Sequence, residues 1–130
     1  MPKKLIRGVS ERIDCFGSII VPLNEHEVRL AIKELSDAGC DSLAISCLWS
    51  FLEPSHEIRI KEIAKEIAPH LYITCSSEIA PKWGEYERTT ATVINAYIGP
   101  TTAGYLSRLD ANLKNIGYER PLQISQSAGG

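Results

Sequence analysis

Apolar positions along the chain change period from segment to segment. Val28, Ala31, Ile32 and Leu35 recur at i, i+3, i+4 and i+7, which is one face of a helix over about residues 25–37. Asn24 supplies an N-cap oxygen and Glu27 stands three residues later, as in a capping box. Gly39 suits the left-handed turn that ends a helix. Residues 42–48 then read Ser-Leu-Ala-Ile-Ser-Cys-Leu. This short, mostly apolar run predicts a strand buried on both faces of a parallel sheet. Pro54 opens a second helix to about Ile67, with Ile60, Ile63, Ala64 and Ile67 as its apolar stripe. Leu71–Cys75 is the next strand. Helix, strand, helix and strand over residues 28–75 predict a right-handed crossover in an open α/β sheet.

Residues 9–23 read as a β-hairpin, with strands Ser10–Ile13 and Ser18–Val21 around Asp14-Cys15-Phe16-Gly17. Asp bonds its own backbone in a turn and Gly accepts positive φ. A phosphate-binding loop is disfavoured, because no helix follows whose N-terminus would face an anion. Beyond residue 83, apolar residues again recur at helical spacing. Gly99-Pro100 interrupts them, so two consecutive helices are expected over about 84–98 and 101–116, ended by Gly117. Leu122–Ser125 reads as a last strand, followed by Ser127-Ala128-Gly129-Gly130.

Hydrophobic residues make up 44% of the 130 and charged residues 23%, which is ordinary globular composition for one domain. The net charge of −2 argues against nucleic acid or an anionic membrane as a partner. No apolar run is long enough to span a bilayer. Met1-Pro2-Lys3-Lys4 has no apolar stretch after it, so no secretory leader is seen and a cytoplasmic location is expected. Cys15, Cys40, Cys47 and Cys75 form no C-x-x-C pair. They read as reduced, buried small hydrophobes rather than metal ligands. His56-Glu57 is not the H-E-x-x-H zinc motif, since Ile60 stands at the second histidine position; a cap or an ion pair is expected.

Several residues invite chemistry and carry two readings each. Glu87 and Arg88 are either a helix-start acid with an ion-paired arginine, or an arginine for a phosphate or carboxylate. Thr89, Thr90 and Thr92 either mark a helix N-terminus through their hydroxyls or touch substrate. Asn95 is either a buried amide tying its helix to a neighbouring loop or a ligand contact. Trp49 and Trp83 border a strand and a helix, and either pack or anchor an interface or stack on substrate. Ser125, Ser127, Gly129 and Gly130 are the best anion-site candidates, because a serine-glycine turn after a strand brings backbone N–H groups to an anion.

Residues 85–100, Glu-Tyr-Glu-Arg-Thr-Thr-Ala-Thr-Val-Ile-Asn-Ala-Tyr-Ile-Gly-Pro, resemble the E-Y-x-R-x-x-T-x-x-N-A-Y-x-x-P signature of the hydantoinase A / 5-oxoprolinase family. Glu11-Arg12 with Gly17 and Pro22-Leu23 looks like that family's hairpin. Ser50 to Pro54 with His56-Glu57 looks like its S-x-x-x-P-x-H-E element, and Ser76-Ser77-Glu78-Ile79 like its S-S-E-I. Tyr105-Leu106, Leu109, Pro121-Leu122 and Ser125 to Gly130 look like its Y-L-x-x-L … P-L-x-x-x-x-S-x-G-G ending. Together these pieces cover roughly residues 7–130.

The resemblance implies a partial actin-like, RNase H-like ATPase lobe. The expected form is a mixed α/β sheet with a hairpin, flanking helices and two consecutive C-terminal helices. It implies residues 1–82 as the end of an N-terminal region and 83–130 as the start of a main domain, packed together. It implies ATP-driven phosphorylation of a cyclic amide for ring opening, or ketone carboxylation, with a B-type subunit and the remainder of the polypeptide as partners. Ser127, Gly129, Gly130 and Arg88 would face nucleotide, and Glu87, Thr90, Thr92 and Asn95 would serve substrate or structure. ATP and Mg2+ belong to the parent enzyme, with no tight binding expected here, because the family's D-x-G-G-T phosphate loop has no match in this chain. An interior piece that self-associates and lacks turnover is expected. A non-catalytic α/β interaction module is the alternative.

Overall fold

The computed structural model describes residues 3–124. The chain divides into two compact units, Met1–Ile98 and Gly99–Gly130. The first opens with a 3-10 turn, Lys3–Leu5, and a hairpin of β1 (Arg12–Ile13) and β2 (Ile19–Val21). Asp14 shapes the turn, its Oδ1 accepting from the N–H groups of Phe16 and Ser18 at 2.9 and 2.8 Å. Gly17 takes the positive φ, +82°, as its position predicts.

Helix α1 (Glu25–Asp37) matches its predicted bounds and buries Val28, Ile32 and Leu35. Asn24 Oδ1 accepts the N–H of Glu27. Glu27 does not close the capping box on the Asn24 N–H, which bonds Ser10 O. Its carboxylate instead takes the Ser10 N–H at 2.7 Å, and that bond chiefly holds its pKa below the usual carboxylate range. Gly39, at φ +79°, closes a Schellman turn in which Cys40 N donates to Leu35 O and Gly39 N to Ser36 O.

Strand β3 (Ser42–Ile45), helix α2 (Ser55–Ile67) and strand β4 (Tyr72–Cys75) follow. β3 and β4 pair in parallel from Ser42↔Tyr72 to Ile45↔Cys75. Ile45, Cys47, Leu71 and Cys75 form one core with Val28 and Ile32 of α1 and with Ile60, Ile63 and Ala64 of α2. A four-residue helix α3 (Ser76–Ile79) and the long helix α4 (Glu85–Asn115) complete the order. The first half of α4 meets the other face of the sheet, where Thr89 Oγ1 lies 2.8 Å from Ser46 Oγ and Asn95 Oδ1 accepts from Thr74 Oγ1 at 3.2 Å.

Four expectations need correction. Among the described residues the strands form no mixed sheet: the hairpin is one two-stranded sheet and β3–β4 another. The hairpin is tied by Ser10 to α1 instead of extending the parallel pair. The run 42–48 stays strand only to Ile45, and within that strand Ile45 is buried while Ser42, Leu43 and Ala44 are half-buried. Cys47 leaves the ladder because its N–H and C=O bond Glu57 and Arg88. The two C-terminal helices are one, with Pro100 inside α4. Proline forfeits a single backbone bond, and Gly99 has no Cβ to clash with its ring. Residues 122–124 form no strand; Ser125, Ser127, Gly129 and Gly130 lie outside the described residues.

Candidate functional site

Glu57 sits in the first turn of α2, fully buried. An uncompensated buried carboxylate is costly, yet each of its oxygens accepts two bonds. Oε1 takes the Cys47 N–H at 2.8 Å and the Ser76 hydroxyl at 2.6 Å. Oε2 takes the Ser77 N–H at 2.9 Å and the Ser77 hydroxyl at 2.7 Å. Cys75, at the N-cap of α3, makes no side-chain cap; Glu57 supplies it from a distant helix.

The Ser76 hydroxyl has one proton and gives it to Glu57. It therefore accepts from Ser50 Oγ at 3.0 Å and from Arg88 Nε at 3.2 Å. Arg88, in the first turn of α4, is 2% exposed. Its Nη2 donates to Cys47 O at 3.0 Å and its Nη1 to Lys82 O at 3.3 Å. One N–H on each Nη keeps no partner among the described residues. Phe51 lies against the guanidinium, 5.4 Å from its ring centre, a cation–π distance. The two buried charges thus communicate through one serine hydroxyl rather than a direct ion pair.

Beside this network lies a hollow of about 170 Å³ lined by Leu48, Trp49, Phe51, Trp83, Gly84 and Arg88 among others. Trp49 and Trp83 meet edge to face at 5.1 Å, and each lies 5.7 Å from Phe51. Trp49 has φ +60°, a strained value for a bulky residue. Its carbonyl accepts from the N–H groups of Leu52 and Glu53, so the turn holds the strain in place. That turn places Ser50 in the network. On the other side, His56 Nδ1 lies 2.9 Å from Glu11 Oε2, both nearly buried, a hydrogen-bond contact that joins α2 to the residue preceding β1.

The neighbouring thiols are not poised as nucleophiles. Burial first, and then the Glu57 and Glu78 carboxylates, push Cys75 up to about 12. Burial, then Glu11 and Glu57, raise Cys47 as well. Cys40 is half-buried and Cys15 exposed, so only Cys47 and Cys75 match the expected burial. The hairpin turn carries Cys15 into solvent.

The remaining candidates disperse. Glu87 is exposed, and its carboxylate folds back over Gly84, whose φ is +101°. Thr90 is exposed. Thr89 and Thr92 do not mark a helix start, because α4 begins at Glu85. Thr92 Oγ1 instead bonds the Arg88 carbonyl at 2.7 Å, the i−4 back-bond open to a mid-helix threonine. Asn95 ties α4 to a strand rather than a loop. Arg88 and Thr92 are drawn into one network; Glu87, Thr90 and Asn95 are not part of it. The hub, Glu57, was legible only as part of a motif, with Ser50, Ser76 and Ser77. Among the described residues, no three His, Cys, Asp or Glu side chains converge to hold a metal ion.

What the geometry defines is an α/β module stitched at its centre by a buried glutamate–serine–arginine network. Residues 1–68 match the family model described as the hydantoinase/oxoprolinase N-terminal region, and the chain belongs to that family. It is 35% identical over 130 residues to the caprolactamase α subunit of Pseudomonas jessenii, covering all of this chain and 19% of that one. It is 35% identical over 133 residues to the acetophenone carboxylase γ subunit of Aromatoleum aromaticum, covering 98% and 18%. The crystal structure of the ATP-dependent caprolactamase of Pseudomonas jessenii superposes with a TM-score of 0.86 at 34% identity, over 92% of this chain and 17% of that one. The chain spans about a fifth of the length of these relatives.

Proposed function

We propose that this chain is one segment of a longer ATP-dependent enzyme that phosphorylates a cyclic amide and so activates it for ring opening. The observation that carries the reading is the likeness to an ATP-dependent caprolactamase along nearly the whole chain, since a lactam is a cyclic amide. In this reading residues 1–82 close an N-terminal region, 83–130 open the main domain, and both belong to an actin-like lobe. The enzyme is cytoplasmic, takes ATP with Mg2+, and works with a B-type subunit. Phosphoryl transfer rests on positioning and charge stabilisation. The buried network serves it by fixing the strand ends and the start of α4. Arg88, with an N–H to spare on each Nη, is the described residue best suited to an anion brought to this edge. Ser127, Gly129 and Gly130 are its proposed companions.

The test is ATP hydrolysis by the longer polypeptide with its partner subunit, with and without lactams, hydantoins and 5-oxoproline. Stimulation by a cyclic amide is expected, and none from these 130 residues alone. Turnover by this chain alone sinks the segment reading. The likeness to a carboxylase subunit supports a second reading, distinguished by stimulation from a ketone with bicarbonate instead. No response to either class favours a non-catalytic module. Exposed Phe16, Trp83, Tyr97 and Ile116 support self-association of the isolated chain. Light scattering reads it as a mass that rises with concentration, and a constant monomer mass counts against it.

A further inference from the structure

A hollow of about 740 Å³ in the first unit runs along the outer edge of β3. Val28, Ala31, Ile32 and Leu35 of α1 line one side, and Thr89, Val93, Ala96 and Tyr97 of α4 the other. Its floor is β3 itself, from Ser42 to Ile45. The surface is mostly apolar, and Tyr97 stands 82% exposed at its rim.

The backbone at this edge is unpaired in a definite pattern. Among the described residues β3 has one neighbour, β4. Tyr72 N–H donates to Asp41 O and Ser42 pairs with Tyr72. In a parallel ladder that register turns the N–H and C=O groups of Leu43 and Ile45 towards β4. Those of Ser42 and Ala44 point the other way, into the hollow. Neither makes a backbone bond there. Buried backbone groups require partners, and an open edge invites another strand. Helices α1 and α4 already stand on opposite faces of the sheet, one beyond each lip of the slot. The space between two helical layers at an open strand edge has the shape of a missing strand.

We propose that a strand from the same polypeptide, outside these 130 residues, fills this slot and bonds the backbone of Ser42 and Ala44. This rests on reading the chain as a segment of a longer enzyme, and the length of its relatives, about five times its own, leaves ample chain to supply it. The occupant presents small or medium apolar side chains to both helices, as a strand buried on both faces does. It carries no charge at the centre of the slot, where the described lining offers none to pair with; Arg7 and Asp41 lie towards its ends.

The native cysteines report on this without substitution. Cys40 lines the slot and Cys15 lies exposed on the hairpin turn. Alkylation with iodoacetamide at micromolar protein is followed by mass spectrometry, in this chain and in the longer polypeptide. Amide exchange of Ala44 is read in parallel. Cys40 is expected to react in this chain and to be protected at least tenfold in the longer one, with Cys15 reactive in both. The Ala44 amide slows in step. Equal Cys40 reactivity and fast Ala44 exchange in the longer polypeptide overturn the proposal. So does protection in this chain that grows with its concentration, which would put a second copy in the slot, or a reading frame that supplies no further chain. Loss of ATP turnover with the protection intact would fault the proposed reaction and not the strand.

Discussion

At the scale of single residues, Glu57 is the side chain on which most depends. Its four donors include two backbone N–H groups, of Cys47 and Ser77, that cannot rotate away. Glu57→Gln replaces one acceptor oxygen with an NH2 group facing one of these fixed donors. It also removes the charge that faces buried Arg88 across Ser76. Breaking a buried charged network by one partner costs about 3 kcal/mol or more. At roughly 4 °C per kcal/mol for a domain of this size, the unfolding midpoint should fall by about 12 °C. Glu62, five residues on and paired with Arg59 at the surface, is the control, and Glu62→Gln should barely move the midpoint. Equal effects at the two positions would show that the network adds nothing to a surface pair. A spacing rule reads His56-Glu57 only as a cap or an ion pair. The donors that make Glu57 a hub come from residues ten to twenty positions away, and no local pattern announces them.

At the scale of elements, legibility follows how local the determining physics is. Helix α1 was readable to the residue, because its cap, apolar stripe and glycine stop all lie within sixteen positions. The hairpin turn was readable through Asp14 and Gly17 for the same reason. Strand β3 ended early because Cys47 is held by two distant side chains, and α3 was missed because its cap comes from α2. Helix α4 is the instructive failure. Gly99-Pro100 predicts a break, yet helical geometry continues past it. Pro100 has no N–H for the Ala96 carbonyl and costs about 3 kcal/mol relative to alanine in a helix interior. Pro100→Ala should therefore slow amide exchange over residues 101–105, with a stability gain of about 1–3 kcal/mol. Faster exchange after the substitution would mean that the proline marks a helix start in solution, as the sequence pattern suggested.

At the scale of the whole molecule, the question is how much of a nucleotide site 130 residues carry. Apart from Arg88, each ionised group of the central network has its bonding capacity taken by protein partners. The arginine has three of its five N–H groups engaged. A nucleoside triphosphate needs several convergent donors and a cation, more than the two spare N–H groups of this network supply even with the proposed Ser127, Gly129 and Gly130 beside them. Thermal unfolding of this chain should therefore be unchanged by millimolar Mg-ATP. The longer polypeptide should shift upward under the same conditions. A ligand at 100 times its dissociation constant stabilises by about 2.7 kcal/mol, or roughly ten degrees here, so the contrast is large enough to read. A ten-degree shift in this chain alone would place most of the nucleotide's binding energy within these residues, and the buried arginine would then have to open towards solvent to provide it. A flat response here beside a shift in the longer polypeptide would assign this module to support: it sets where α4 begins and how the strand ends are held, and the phosphate-binding groups are built onto that frame.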